Sequence, residues 1–195
     1  MSNTDELQKL FEEISADETL PLREANLVFG EGSPKAELLF VGEAPGAKED
    51  ELVRPFVGRS GQLLRSLIRA EGWKEEEVYI TNIVKRRPPE NRDPLPEEIE
   101  AYKPYLTRQI RALNPKVIVT LGRFSMNYFL PEAKISRDHG KVIKFGERIL
   151  LPVYHPAAAL RSTSMRAELE KDFKKIRALL KNFDELMKSS SAHVS

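Results

Sequence analysis

A short turn containing glycine and proline follows the first strongly apolar run of the sequence. The run 37–42 (ELLFVG) ends on Gly42, and Glu43–Gly46 (EAPG) follows at once. Such a turn exposes backbone N–H groups that can hold an anion or a carbonyl oxygen. It lacks the Gly-Lys-Ser/Thr ending of a P-loop and the spaced glycines of a dinucleotide site. Taken alone, this turn is more often an ordinary loop than a ligand site.

Three further side chains could recognise a flat polar ligand. Phe56 could stack on a ring, although phenylalanine is more often a core residue. Asn82 interrupts the β-forming run VYITNIV, where an amide is either a satisfied core group or a reader of a hydrogen-bonding edge. His155 follows an apolar run and precedes Pro156, and a lone His-Pro pair is a weak signal. Each residue by itself leaves both interpretations open.

The elements that must position these residues alternate between strands and helices. Continuous apolar runs predict four strands, at 37–42, 78–84, 117–121 and 149–154, the last being the second arm of a hairpin over 141–154. Helical spacing of apolar residues predicts helices at 5–14, with a possible cap at Thr4, and at 60–71, 96–113, 122–130 and 165–187. Pro104 is expected to kink or split the third of these helices.

This alternation predicts an α/β fold, a three-layer α/β/α sandwich around a central, mainly parallel four-stranded sheet. We expect a single domain over residues 1–188 and a disordered polar tail at 189–195. Ligands of such sheets bind beyond the carboxyl ends of the strands. Three of those ends carry unusual loops, at 43–58, 85–95 and 155–162, so the loops together predict the site.

Charge and hydropathy narrow the function classes only modestly. The 195-residue chain has a net charge of +1, but basic residues cluster in the 85–95 loop and again at Arg161 and Arg166. A local basic rim can engage phosphates, although ordinary solvated charge explains the clusters equally well. The apolar runs are too short to cross a bilayer and the N-terminus resembles no secretion signal, so a cytoplasmic location is expected.

Taken in order, the segments resemble one enzyme family. The resemblance is carried by the runs VFGEGSP, VGEAPGAKEDE, RPFVGRSGQLL, VYITNIVKRRPPENRDPLPEE and VYHPAAALR. They resemble the thermostable, iron–sulfur type of uracil-DNA glycosylase, family 4, from about Leu27 to Arg161. The resemblance implies a monofunctional enzyme that flips uracil out of DNA, hydrolyses its N-glycosidic bond and leaves an abasic site for base excision repair.

The resemblance also implies how uracil is recognised. Phe56 would stack on the base, Asn82 would pair with its O4 and N3–H edge, and Glu43 would lie near C5 and help to exclude thymine. Cytosine would leave the Asn82 amide mispaired, which is how buried polar groups discriminate strongly. The residues implied in the uracil pocket are Gly42, Glu43, Ala44, Pro45, Gly46, Phe56 and Asn82.

Roles in catalysis and DNA binding follow from the same resemblance. A neutral His155 would donate to uracil O2, and Glu49 would offset the sugar cation and orient the attacking water. Asn91 and Asp50 are weaker candidates for assisting. For DNA binding, the resemblance implies Leu160 and Arg161 at the wedge that enters the minor groove. The basic loop itself adds Lys85, Arg87 and Arg92 as candidates for phosphate contacts.

The sequence departs from the family at its metal cofactor. The family holds a four-iron cluster with four cysteines, whereas the aligned positions here are Ser15, Glu18, Arg86 and Tyr102. The chain has no cysteine, so we expect no cluster and no other metal. Glu18 and Arg86 are predicted to form a salt bridge across the old cluster site, contributing about 0–1 kcal/mol, with Tyr102 filling volume beside it.

Covalent capture of DNA, known from a related branch with a histidine in the second loop, is not expected. The histidines here are His139, His155 and His193, and none lies in 85–95. Two other interpretations stay open. A catalytically inactive glycosylase-fold module for DNA binding or polymerase assistance would need only the basic rim, and a Rossmann-like nucleotide enzyme lacks its fingerprint here. The expected partner is uracil-containing DNA, single- or double-stranded, bound by a monomer without membrane association.

Overall fold

Four buried apolar runs form the parallel part of a six-stranded sheet in the computed structural model, which describes residues 2–189. The strands are β1 (Glu31–Gly32), β2 (Leu38–Gly42), β3 (Tyr79–Asn82), β4 (Val117–Leu121), β5 (Ile143–Phe145) and β6 (Arg148–Val153). Their order across the sheet is β1-β3-β2-β4-β6-β5. β3, β2, β4 and β6 run parallel, and β1 and β5 pair antiparallel at the two edges.

The predicted count of four strands is therefore wrong: β1 escaped the sequence pattern, and β5, the first arm of the predicted hairpin over 141–154, was not counted in the sheet. β1 has only two residues, neither of them apolar, and it is held by main-chain pairing of Glu31 with Ile80. β5 is short and largely exposed. Such a strand gains its place from backbone hydrogen bonds rather than from burial, so hydrophobicity does not reveal it.

Helices cover both faces of the sheet, which confirms the three-layer α/β/α sandwich. They are α1 (Asn3–Ala16), α2 (Ala47–Leu52), α3 (Arg59–Ala70), α4 (Pro96–Leu113), α5 (Arg123–Phe129), α6 (Ile135–Asp138), α7 (Pro156–Ala159), α8 (Thr163–Phe173), α9 (Lys175–Lys181) and α10 (Phe183–Lys188). Side chains alternate along each central strand, so Phe40 packs with α3 and α8, while Leu39 and Val41 pack with α1 and α4.

Several helix boundaries differ from the predicted ones for local reasons. Ser2 rather than Thr4 caps α1, because its hydroxyl accepts the Asp5 N–H and the Asp5 carboxylate accepts the Ser2 N–H in return. α4 continues through Pro104 instead of splitting there. The predicted helix 165–187 consists of three helices, with a break at Asn182, whose φ and ψ are −102° and 14°. The predicted tail beyond Ser189 lies outside the described residues.

The positions aligned with the cluster cysteines do not fit an iron–sulfur cluster. Tyr102 is completely buried, and its hydroxyl donates to the Pro21 carbonyl at 2.8 Å. Arg86 is also buried and donates to the Ala25 carbonyl at 2.5 Å. A phenol and a guanidinium thus fill this region, and neither replaces the thiolates that hold such clusters. The prediction that Tyr102 fills volume here is confirmed.

The predicted salt bridge between Glu18 and Arg86 is wrong. Glu18 is exposed, and among residues 2–189 no ion pair joins it to Arg86. Arg86 turns inward to a backbone carbonyl because a buried cation needs an acceptor, and Ala25 supplies one without the cost of burying a second charge.

Every helix between residues 2 and 189 is too short or too polar to cross a bilayer.

Tyr102 is expected to be the main stabilising side chain of this region. Tyr102→Ala removes a fully buried ring and should lower the free energy of unfolding by about 3–5 kcal/mol. Tyr102→Phe removes only the hydrogen bond to Pro21 and should cost about 1 kcal/mol. Urea denaturation measures both, with Tyr105→Ala, a partly exposed tyrosine on the same helix, as the control. A loss below about 1 kcal/mol for Tyr102→Ala would contradict this account.

Candidate active site

A cavity of about 640 Å³ lies beyond the carboxyl ends of the parallel strands. Loops after β2, β3 and β6 enclose it, as the strand-end rule predicts. It also reaches the segment after β4, through Gly122 and Arg123. The sequence-predicted site residues that line this cavity are Glu43, Ala44, Pro45, Gly46, Glu49, Phe56, Asn82, Asn91, Arg92, His155 and Arg161.

Gly42 lies beneath the cavity, where the absence of a side chain makes room for two others. Its register in the sheet pairs it with Asn82. A Cβ at Gly42 would lie 2.4 Å from Phe56 Cζ and 2.5 Å from Asn82 Oδ1, far inside normal contact distances. Only glycine therefore allows the ring and the amide to approach the end of β2 together.

The Phe56 ring forms one wall of the cavity and faces the His155 imidazole. The two ring centroids are 6.0 Å apart and the ring planes are inclined by 30°. Phe56 is 5% exposed. An aromatic face held in this way offers a surface on which a flat ring can stack.

The Asn82 side chain is buried beside Phe56 without a hydrogen-bond partner for its oxygen. The residue is 2% exposed, and Oδ1 accepts no hydrogen bond within the described part of the chain. An unsatisfied buried polar atom costs about 1–3 kcal/mol. Because native proteins seldom keep such a group without a reason, the free amide edge indicates a ligand that carries both a donor and an acceptor.

His155 is held in the neutral form, with one tautomer favoured. It precedes α7, and its Nδ1 accepts the Ala157 N–H at 3.0 Å. Burial lowers the pKa of His155 to about 4, against an opposing effect of the Glu49 carboxylate. Since Nδ1 is an acceptor, the proton of the neutral ring resides on Nε2, which can donate to a ligand oxygen.

Glu49 lies in α2 with one carboxylate oxygen engaged. Oε1 accepts the N–H groups of Val57 at 2.8 Å and Gly58 at 2.7 Å. Oε2 lies 2.8 Å from the position of a Cβ at Gly46, so a larger residue there would displace it. No residue between 2 and 189 donates a hydrogen bond to Oε2. This oxygen is therefore available to a water molecule or a developing positive charge.

The Glu43 carboxyl also lines the cavity, and its pKa is unusual for a carboxyl group. Burial raises the pKa of Glu43 to about 7, the Asp93 carboxylate adds to the rise, and Arg123 opposes it. A carboxyl with a pKa raised in this way retains its proton at pH values where an exposed glutamate is fully ionised. Its position in the cavity wall suits contact with an edge of a ligand rather than with bulk water.

The residues predicted to bind DNA have different surroundings. Leu160 is 40% exposed just beyond α7, and the neighbouring Arg161 lines the cavity. Arg92 makes a bidentate ion pair with Glu98, at 2.6 and 2.9 Å, and Arg87 donates to Asn91 Oδ1 at 2.8 Å. The two arginines of the second loop are thus oriented by internal partners.

Lys85 cannot contact a phosphate, so its predicted role in DNA binding is wrong. The side chain is 0% exposed, and its ammonium donates to Thr81 Oγ1, Gln109 Oε1 and the Asn82 carbonyl at 2.5, 2.5 and 2.8 Å. Burial keeps the pKa of Lys85 well below its usual value. The lysine lies beneath the Asn82 backbone, on the side away from the cavity.

Asp93, Arg123 and Tyr154 are among the cavity-lining residues that were not predicted from the sequence. Arg123 donates to Asp93 Oδ2 at 2.8 Å, and both residues line the mouth of the cavity. The strand-end rule applied to β4 would have found Arg123, which follows Gly122 directly. Tyr154 lies in the wall beside His155 and packs against the His139 ring, with centroids 4.4 Å apart. No residue pattern distinguishes it from a core tyrosine.

This arrangement can hold a planar heterocycle and act on a bond at its edge. Phe56 offers a stacking face, Asn82 a donor and acceptor pair, and His155 a neutral N–H donor. Glu49 supplies a carboxylate oxygen within the same cavity. A neutral donor on one side of a bond and a carboxylate on the other suit a reaction that separates an anionic leaving group from a cationic centre.

Comparison with known proteins agrees with this geometry. The family model described as the uracil DNA glycosylase superfamily matches residues 29–181. The type-4 uracil-DNA glycosylase of Sulfurisphaera tokodaii is 49% identical over 90% of this chain and 85% of its own length. Those of Archaeoglobus fulgidus and Saccharolobus solfataricus are each 48% identical, over 77% and 80% of this chain and 80% and 76% of their own lengths. The chain therefore belongs to the uracil-DNA glycosylase superfamily.

Proposed function

We propose that this chain is a monofunctional uracil-DNA glycosylase of the type-4 group. It hydrolyses the N-glycosidic bond of a flipped-out deoxyuridine and leaves an abasic site for base excision repair. The observation that carries the proposal is the unpaired Asn82 amide beside the Phe56 ring and the neutral His155. Together they complement one face and two edges of uracil.

Recognition of uracil follows from these groups. The Asn82 Nδ2 donates to uracil O4 while Oδ1 accepts the N3–H, and Phe56 stacks on the ring. Cytosine would present an amine to the donor and a bare nitrogen to the acceptor, so both bonds would fail. Glu43 borders the C5 edge, where the methyl group of thymine would meet the carboxyl.

Bond cleavage uses the other two groups. As the bond between C1′ and uracil N1 breaks, its electron pair moves onto the base, and His155 Nε2–H donates to O2 to stabilise that charge. The sugar gains oxocarbenium character, which the Glu49 carboxylate offsets. Glu49 Oε2 also orients the water whose oxygen bonds to C1′ and accepts its proton. Asn91, which also lines the cavity, assists in placing the water.

Contact with DNA is assigned to the rim around the cavity. Leu160 fills the space left by the flipped base, and Arg161 contacts the adjoining backbone. Arg87 and Arg92 complete the basic rim at phosphates. One lesion occupies one cavity, so the active form is a monomer. Lys85 plays no part in this surface, because it is buried beneath Asn82.

The decisive assay is excision of uracil from a labelled oligonucleotide. The protein is expected to create an abasic site at a single uracil, which hot alkali converts into a strand break, and to leave the matched cytosine and thymine strands intact. Glu49→Gln should lower kcat by roughly 10²- to 10⁴-fold, because it removes the charge while its amide oxygen can still accept the two loop N–H groups. Glu51→Gln, on the exposed side of the same helix, is the matched control.

Two outcomes of this assay would overturn parts of the proposal. If the wild-type protein binds the oligonucleotide but no strand breaks, the chain is a DNA-binding module rather than an enzyme. A denaturing gel run without alkali should show no protein attached to DNA. A heat-stable shifted band would instead demonstrate covalent capture.

Glu43 is expected to reduce the stability of the folded protein as the pH rises. Its pKa of about 7 exceeds the ordinary value of 4.5, so the unfolded chain ionises first. The free energy of unfolding therefore falls between these pH values by on the order of 1–3 kcal/mol and stays lower above them. Calorimetry should show that Glu43→Gln raises Tm at pH 8 but hardly at pH 4.5. Equal gains at both pH values, or the same behaviour in the exposed control Glu76→Gln, would rule this out.

We propose further that the protein folds and acts without an iron–sulfur cluster. The aligned positions hold Ser15, Glu18, Arg86 and Tyr102, which do not fit the cluster. Protein purified without oxygen from iron-supplemented cells should carry only substoichiometric iron by elemental analysis and show no visible absorption. Its thermal midpoint should be unchanged by a chelator. Recovery of about four iron atoms per chain would refute the proposal.

A further inference from the structure

The loop that carries Phe56 adopts a backbone conformation that its sequence disfavours. Phe56 has φ of 54°, in the left-handed region that bulky residues seldom occupy. Such a conformation costs of the order of 1–3 kcal/mol and persists only where the surrounding structure holds it. Because the stacking ring hangs from this residue, whatever fixes the backbone also fixes the ring.

Charged side chains hold the loop from two sides. Glu49 Oε1 accepts the N–H groups of Val57 and Gly58 at 2.8 and 2.7 Å. On the other side, Arg65 Nε donates to the Phe56 carbonyl at 2.8 Å and Arg65 Nη2 donates to the Pro55 carbonyl at 2.7 Å. The Glu49 carboxylate thus holds the loop by two N–H groups, and the Arg65 guanidinium holds it by two carbonyl groups.

The guanidinium of Arg65 is itself fixed. Its side chain is only 9% exposed, and Nη2 lies 2.5 Å from Glu31 Oε1 while Nη1 pairs with Glu75. Glu31 belongs to the edge strand β1, so the contact ties the loop to the sheet. Burial tends to raise the pKa of Glu31, but hydrogen bonds from Arg54 and Arg65 outweigh it and lower the pKa, which keeps the partner ionised.

The helix that bears Arg65 is also pressed against the loop. A Cβ at Gly61, in the first turn of α3, would lie 2.0 Å from the Phe56 carbonyl carbon. This close approach places α3 where the planar fork of an arginine reaches two successive carbonyls. A lysine, with one compact ammonium head, cannot satisfy both carbonyls and Glu31 in the same geometry.

We propose that Arg65 is a positioning residue for substrate recognition, which sets the Phe56 ring for stacking by holding the Pro55 and Phe56 carbonyls. Arg65 lines no part of the cavity and touches no substrate. The inference rests on the proposed glycosylase function for its effect on activity, but its structural part stands independently. Stacking acts on the base before and during bond cleavage, so its loss raises KM more than it lowers kcat.

The activity test is a double-mutant cycle on kcat/KM with a uracil oligonucleotide. Arg65→Lys should lower kcat/KM by roughly 10- to 100-fold, mainly through KM, because misplacing a binding group by about 1 Å has effects of this size. In a Phe56→Leu background, the same substitution should lower kcat/KM by less than about 2-fold. Arg69→Lys is the matched control, since Arg69 pairs with Glu75 from the same helix but contacts no loop carbonyl.

A merely structural role for Arg65 predicts a different pattern. Partial unfolding lowers the concentration of active protein, which reduces apparent kcat and leaves KM unchanged. It also multiplies with the loss from Phe56→Leu instead of vanishing. Either result would overturn the proposal. If Arg65→Lys does not fold, Glu31→Gln weakens the same clamp from the other side of the guanidinium and should raise KM in the same direction.

A spectroscopic measurement separates this inference from the proposed function. The nine phenylalanines are replaced by 4-fluorophenylalanine, and the Phe56 signal in the fluorine NMR spectrum is identified by its loss in Phe56→Leu. The signal should shift or broaden in Arg65→Lys and stay in place in Arg69→Lys. An unmoved signal refutes the positioning role even in an active enzyme. A protein that shows the shift but excises no uracil contradicts only the proposed function.

Discussion

The parallel pairing of β2 with β3 sets Gly42 beside Asn82 where both strands end. Because Gly42 lacks a Cβ, the Phe56 ring and the Asn82 amide share the space above it. The other groups of the cavity surround that shared space. Helix α2, which bears Glu49, follows the end of β2, and His155 follows the end of β6 and faces the Phe56 ring. A shift of one residue in the register would point Asn82 to the other face of the sheet and remove its amide from the cavity.

The cavity concentrates groups held in states that an isolated chain would not favour. Asn82 Oδ1 is buried and unpaired, His155 is kept neutral with a pKa of about 4, and Glu43 has a pKa of about 7. At neutral pH the unpaired oxygen and the raised pKa of Glu43 each reduce folding stability by an amount of the order of 1–3 kcal/mol. The lowered pKa of His155 reduces it only below about pH 6.5, where the unfolded imidazole would be charged. Apolar clusters on both faces of the sheet must offset this, as in the stacked pair of Phe40 and Phe173 beneath the pocket loops. The unfavourable groups lie at the strand ends, whereas the stabilising apolar contacts lie on the two faces of the sheet. The sheet therefore tolerates a cavity with strained and unsatisfied groups.

The sequence predicted the strand ends and hence the cavity, since apolar runs and glycines are local features that hydropathy reveals. It failed where an outcome depends on direction or on distant partners. Lys85 was predicted to contact phosphate because it lies in a basic loop, but its side chain points into the protein interior. Its ammonium finds an acceptor there in Gln109 of α4, which is distant in sequence. Arg65 drew no prediction from the sequence, because its role depends on Glu31 and on carbonyls that approach only after folding. The edge strand β1 has no apolar pattern at all.

The region around Arg86 and Tyr102 is linked to the cavity through one buried segment and one helix. After Asn82 the chain stays buried through Arg86, with Lys85 bound to Gln109 of α4 and Arg86 bound to the Ala25 carbonyl. The same helix presents Tyr102 to Pro21, seven residues before Gln109 and so on nearly the same face. α4 thus holds the N-terminal segment with one side chain and supports the Asn82 backbone through another. Two hydrogen bonds to main-chain carbonyls thus tie the N-terminal segment to α4 and to the segment after β3. They leave the Asn82 amide free, because neither Tyr102 nor Arg86 lines the cavity.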